Sequence, residues 1–230
     1  MDGGTEIRFR AVLFDLDGTL IDTLADIANS ANDALSKLGF PIYPVDSYRY
    51  FVGDGTECLV SRILPKDQLN EQTRNKCLDI MRSHYSRHWA DNTKPYPGIP
   101  ELLYDLQKRK LPKAILSNKP DNFTQIMTAK LLANWDFEIV EGAKPSVPKK
   151  PDPETALKIA KKLAIHPEDI LYLGDTNTDM QTARAAGMYA VGVLWGFRDA
   201  KELLTNGAKA LVEKPSDVLS ILNGKTERSI

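Results

Sequence analysis

Cysteine is scarce in this sequence: Cys58 and Cys77 are the two thiols among 230 residues. Two cysteines cannot staple a small scaffold, so stability has to come from a buried apolar core, and free thiols in a reducing compartment are the plain reading. No charge of one sign dominates, since 30 basic residues stand against 31 acidic ones for a formal net charge of −1. That balance excludes the basic footprint of a nucleic-acid binder and the polybasic patch of a membrane-surface protein. Apolar runs never exceed a few residues, which argues against a membrane-spanning segment, and MDGGTEIRFR at the start reads as lacking a signal-peptide core. Internal repeats and low-complexity tracts are missing as well.

What is present is the pattern of a cored globular chain, 42% hydrophobic and 27% charged. AVLFD at 11–15 is a short apolar run of the kind seen in strands buried on both faces. Similar runs recur as KAILSN at 113–118, FEIVEG at 137–142, ILYLGD at 170–175, AVGVLWG at 190–196 and ALVEK at 210–214. Amphipathic stretches lie between them; Ile99, Leu102, Leu103 and Leu106 follow the i, i+3, i+4, i+7 spacing, and Ala156, Leu157, Ala160 and Ala164 do so approximately. Strands alternating with helices predict an α/β fold with a doubly wound, Rossmann-like parallel sheet.

One interval breaks the alternation. Nearly a hundred residues separate the first two strands, far more than one crossover helix needs. Leu24, Ile27, Ala28, Ala31, Leu35 and Leu38 form one helical stripe closed by Gly39, and helical stretches follow near 55–64 and 67–89. KPYPGIP at 94–100 then reads as a hinge. The expectation is a small α-helical domain over 22–93 inserted into an α/β core of 1–21 and 94–230, with the polar tail NGKTERSI frayed.

Ligands of open parallel sheets bind outside the carboxyl ends of the strands. Asp15 and Asp17 stand at such an end, two residues apart and so able to face one crevice, followed by Gly18 for a tight turn and the Thr19 hydroxyl. Other strand ends deliver Ser117, Asn118 and then Lys119; Gly174 and Asp175, with Asp179 a helical turn later; and Lys150 lies just before PDP and a helix. Carboxylates gathered this closely repel one another unless a hard cation joins them, and an oxygen-only ligand set suits Mg²⁺. A lysine and a hydroxyl beside such a site are what a phosphoryl group needs while a carboxylate attacks phosphorus.

The ordered set DxDGT, hydrophobic-SN, KPDP and GDxxxD resembles the haloacid dehalogenase superfamily of phosphohydrolases, and it spans nearly the whole chain, with the helical insert where that family carries a small cap. The resemblance implies Asp15 as nucleophile and Asp17 as general acid and then base, giving the metal only its backbone carbonyl. It implies Ser117 on the phosphoryl oxygens, Asn118 shaping the loop, and Lys150 steadying the charge on Asp15. Asp175 would ligate Mg²⁺, and Asp179 would bind it or orient its waters. Within the family, carbon–halogen and phosphonate cleavage go with loss of the second aspartate, so Asp17 favours oxygen–phosphorus chemistry. VGDGTE at 52–57 resembles the cap segment of phosphoglycolate-phosphatase-like members.

Thr19, Gly53, Arg62 and Asn118 are therefore candidates for substrate contact, although Gly53 and Gly55 also read as turn residues and Arg49 and Arg62 as exposed arginines. His84 and His88 have the i, i+4 spacing of a metal pair without a third ligand nearby, which favours a helix surface. Trp195 reads equally as site or packing. The expected activity is a Mg²⁺-dependent phosphatase for a small phosphomonoester such as phosphoglycolate, working in the cytoplasm as a monomer or homodimer without nucleic acid or membrane. A sugar phosphomutase, a pyrophosphatase or nucleotidase of the same superfamily, and a phosphate-binding protein with a degenerate site remain alternatives.

Overall fold

The computed structural model describes residues 9–224. In chain order its elements are β1 (Ala11–Phe14), β2 (Ile21–Asp22), α1 (Leu24–Lys37), α2 (Thr56–Ile63), α3 (Glu71–His88), β3 (Lys94–Pro95), α4 (Ile99–Lys108) and β4 (Lys113–Pro120). There follow α5 (Asp121–Leu131), β5 (Ile139–Ala143), α6 (Glu154–Leu163), β6 (Ile170–Gly174), α7 (Asn177–Ala185), β7 (Tyr189–Val193), α8 (Ala200–Thr205), β8 (Ala210–Val212) and α9 (Asp217–Leu222). The chain divides into two compact units, Met1–Leu20 with Pro95–Ile230, and Ile21–Lys94.

The first unit is built on a six-stranded parallel sheet ordered β5-β4-β1-β6-β7-β8. Counting its own strands in sequence, the order is 3-2-1-4-5-6, the doubly wound arrangement that the alternation of strands and helices predicts. The apolar runs form strands because both faces are covered: every residue of β1 and β6 is buried. Ala11, Leu13, Ala114, Leu116 and Tyr172 share one core with Ala156 and Ile159 of α6 and Met180 and Ala183 of α7. FEIVEG becomes β5 only from Ile139, and its first three residues are half-buried, as fits a strand at the sheet edge.

Register aims the chemistry. Phe14 pairs with Ile115 on one side and Leu173 on the other, so the chain leaves β1 at Asp15 beside the ends of β4 and β6. Sheet order reverses between β1 and β6, the switch point beside which open α/β sheets bind their ligands.

The second unit is helical. α1 buries Leu24, Ile27, Ala28, Ala31, Ala34 and Leu35 and packs against α3, which buries Cys77, Leu78, Met81 and Tyr85. α3 starts later than its apolar pattern suggests, because a 3₁₀ turn at Lys66–Gln68 precedes it and the Asn70 side chain caps it by accepting from Thr73 N at 2.9 Å. Asp26, 2% exposed, accepts from Asn92 N at 3.1 and 2.9 Å, Asn92 Nδ2 at 2.8 Å, Thr93 N at 2.9 Å and Thr93 Oγ1 at 2.7 Å. That carboxylate fastens the first turn of α1 to the residues just before β3. Among the described residues no helix is long and apolar enough to cross a membrane.

Candidate active site

The first unit gathers the acidic strand ends into one buried cluster. Asp15, Asp175 and Asp179 each present a carboxylate oxygen within 4.8 Å of the others, and all three are buried. Lys150 Nζ lies 2.6 Å from Asp15 Oδ1 and 2.6 Å from Asp179 Oδ1. Tyr172 Oη donates to the same Asp179 oxygen at 3.3 Å. Asp179 Oδ2 accepts from Thr176 Oγ1 at 2.7 Å and Thr176 N at 3.1 Å, a capping box that opens α7 and locks the carboxylate in place.

Asp175 is held between two groups: Thr19 Oγ1 donates to Oδ1 at 3.2 Å, and Phe197 N donates to Oδ2 at 2.8 Å. Two glycines make room for it. Gly18 has φ +86°, and a Cβ there would stand 2.2 Å from Asp175 Oδ2; one on Gly196 would stand 2.2 Å from Asp175 Cβ. Trp195 Nε1 donates to Thr19 O at 2.9 Å, so that side chain fixes the loop that carries Thr19.

Burial dominates the electrostatics. It pushes the Asp15 carboxyl up to about 7, with Lys150 pulling down and Asp179 and Asp17 adding to the rise. Burial, then Asp15 and Asp179, drive Asp175 well above the usual carboxylate range. Burial pulls the Lys150 ammonium down, but Asp15 and Asp179 outweigh it and hold that group well above its ordinary value. Three carboxylates against one ammonium leave the ionised cluster two positive charges short of balance. A hard divalent cation fits this donor set and this deficit.

Ser117, Asn118 and Lys119 sit where the pairing of β4 with β5 shifts register, between Leu116 and Pro120. Ser117 Oγ accepts from Lys119 N at 3.2 Å, which leaves its O–H to donate elsewhere. Asn118, expected to contact substrate, turns its amide to the backbone of Lys150: Nδ2 donates to Lys150 O at 3.0 Å and Oδ1 accepts from Lys150 N at 2.9 Å. It is a clamp on the loop that presents Lys150. Lys119 Nζ lies 3.0 and 3.1 Å from the two oxygens of Asp17.

Sequence reasoning passed over Lys119, Tyr172 and Thr176 as partners of the acidic residues. The T-x-x-D spacing of Thr176 and Asp179 was a readable capping signal; no local signal links Lys119 to Asp17. In the helical unit, Arg62 is bonded to Asp54 and donates to Phe51 O at 2.9 Å, and Gly53 has φ +129°. His84 and His88 stack at 4.4 Å, with His84 Nδ1 2.9 Å from Ser30 Oγ and His88 Nδ1 2.8 Å from Asp91 Oδ2. Among the described residues they belong to no cluster of three or more metal-ligating groups.

A family model described as haloacid dehalogenase-like hydrolase matches residues 12–193. The chain is similar to a phosphoglycolate phosphatase of Aquifex aeolicus, 31% identical over 93% of this chain and 97% of the relative. It is likewise similar to one of Nitrosospira multiformis, 33% identical over 90% and 92%. A crystal structure of a candidate phosphoglycolate phosphatase from Lactobacillus delbrueckii superposes with a TM-score of 0.88 at 27% identity, covering 93% of this chain and 98% of that one.

Proposed function

Because the chain belongs to the haloacid dehalogenase-like hydrolases, we propose that it is a Mg²⁺-dependent phosphatase that hydrolyses a small phosphomonoester of the phosphoglycolate type through a phosphoryl group carried on Asp15. One observation carries the reading: a buried aspartate at the end of β1, bonded to Lys150 and gathered with Asp175 and Asp179.

Asp15 is the nucleophile, and its oxygen forms the new bond to phosphorus as the ester oxygen leaves. Lys150 balances charge on Asp15 and on the phosphoryl group, and Asn118 and Asp179 hold that lysine in position. Ser117 donates to a phosphoryl oxygen. Asp17 gives a proton to the departing alkoxide and then takes one from the water that attacks the phosphoryl-enzyme. Asp15, Asp175 and the backbone carbonyl of Asp17 would hold the cation, with Asp179 binding it or orienting its waters. When bound, Mg²⁺ supplies charge that lets the anionic ester approach a carboxylate. Phosphate-monoester hydrolysis is among the slowest uncatalysed reactions, with enzymatic accelerations reaching about 10²¹, so nucleophile, acid and cation are all required.

The helical unit, in this proposal, is the family's cap, with Gly53 and Arg62 as its candidates for substrate contact, and Thr19 is a candidate from the first unit. Arg62 would exchange its bond with Asp54 for an anionic end of the substrate. A panel of phosphometabolites with Mg²⁺, and with EDTA in its place, tests the reading. Phosphoglycolate should give the highest kcat/KM, with release of phosphate lost in EDTA. Isomerised sugar phosphate without free phosphate, or no turnover of any monoester, would overturn it.

A further inference from the structure

The two carboxylates of AVLFDLD each have their own lysine, drawn from different segments: Lys150 for Asp15, and Lys119 for Asp17. We propose that Lys119 is the positioning residue for Asp17, fixing the direction in which its carboxyl group meets the leaving oxygen and the attacking water. The inference rests on the acid–base reading of Asp17 given above and adds a residue to it.

The contact is two-pronged. Lys119 Nζ donates to Oδ1 at 3.0 Å and to Oδ2 at 3.1 Å, so both oxygens, and hence the rotation of the carboxylate, are constrained. The lysine side chain is 4% exposed and that of Asp17 is 13% exposed, which removes the solvent screening that makes surface ion pairs weak. The lysine backbone is itself anchored. Its N–H goes to Ser117 Oγ at 3.2 Å, and its carbonyl accepts from Thr124 Oγ1 at 3.3 Å, a hydroxyl that is fully buried in the first turn of α5. A short relay of fixed atoms thus runs from α5 through the irregular end of β4 to Asp17.

Such an arrangement answers a particular need. Asp15 is held by Lys150 and Asp175 by Thr19 and Phe197 N, whereas Asp17 has to serve two half-reactions from one place. A misplacement of about 1 Å at a reacting group costs on the order of 100-fold in rate. The demand falls on proton transfer, and it is greatest where the leaving group is a poor one.

The test compares Lys119→Met with Asp17→Asn on two substrates. One is phosphoglycolate, an alkyl ester; the other is an aryl phosphate, whose leaving anion needs little protonation. In Lys119→Met, kcat for phosphoglycolate should fall about 30- to 100-fold, while the rate of the aryl-alcohol burst should change by less than about 3-fold. Lys119→Arg, which keeps a charged donor fork, should recover part of the kcat loss. Lys119→Gln, with a neutral donor, serves as the second variant should the methionine fail to fold. If the lysine merely binds phosphate or supports the fold, KM for both substrates should rise or both rates should fall together, and either result overturns the proposal. Asp17→Asn separates the two levels: if it shows the alkyl–aryl split and the Lys119 variants do not, the role of Lys119 fails alone. If Asp17→Asn shows no split, the acid–base reading fails and takes this inference with it.

Discussion

Cation binding should depend on pH in a way that the buried cluster fixes in sign and size. Burial raises the Asp15 carboxyl to about 7, and a carboxylate must shed its proton before it can ligate. At pH 8 that proton is mostly gone; at pH 6 about nine-tenths of the metal-free protein still carries it, so Mg²⁺ affinity should weaken about tenfold between the two. Asp175, pushed up by burial and by Asp15 and Asp179, acts in the same direction and makes tenfold a lower bound. The same shift governs the metal-free fold. A carboxyl whose folded value exceeds its unfolded 3.8 binds more protons in the folded state, so stability is fully present at low pH and declines as pH rises from about 4 to about 7. The slope is about 1.4 kcal/mol per pH unit for each such group. Saturating Mg²⁺ at about 100 times Kd adds about 2.7 kcal/mol and should flatten that decline. Calorimetric titration with Mg²⁺ at pH 6, 7 and 8, in two buffers of different ionisation heat, reads both affinity and protons released. Equal affinity at pH 6 and 8, or proton uptake on binding, would refute the reasoning.

Gly196→Ala should cost activity and Mg²⁺ affinity together, because the new Cβ would stand 2.2 Å from Asp175 Cβ and 2.5 Å from Gly18 O; unchanged thermal response to Mg²⁺ would contradict this. Asp26→Ala leaves the Thr93 N–H and hydroxyl without their buried acceptor, so unfolding of the variant by urea should show a loss of about 2–5 kcal/mol, and a loss below about 1 kcal/mol would mean that water replaces the carboxylate. Lys150→Met strands Asp15 and Asp179 in a buried site, which should destabilise the metal-free protein by about 3–5 kcal/mol in the same assay; a gain in stability there would mean that the two carboxyls simply take up protons.

The sheet and the identity of most acidic groups were legible because their causes are local. An apolar run that ends in Asp-x-Asp-Gly reads as a buried strand leaving its core, and β1 with Asp15 is that. Periodicity gave α1 and α4 to within a residue or two because each buries one stripe. The start of α3 was displaced by an N-cap asparagine that competes with the earlier turn. What sequence could not show is which strand ends become neighbours. The bond of Lys119 to Asp17 spans 102 positions, and that of Lys150 to Asp15 spans 135. Asn118 was expected to shape its loop and was a candidate for substrate contact; its amide is complementary to one peptide unit and finds it at Lys150. Motifs mark the residue types; only the register of β1 between β4 and β6 decides which of them meet.

The central claim is that Asp15 carries the phosphoryl group. Enzyme turning over phosphoglycolate with Mg²⁺, quenched in acid within milliseconds and digested, should yield the peptide containing AVLFDLDGT with a phosphoryl increment on Asp15. Asp15→Asn, shown to be folded by circular dichroism, should show neither the increment nor turnover. Steady release of phosphate with no phosphoryl group ever found on Asp15, together with turnover retained in Asp15→Asn, would contradict the account.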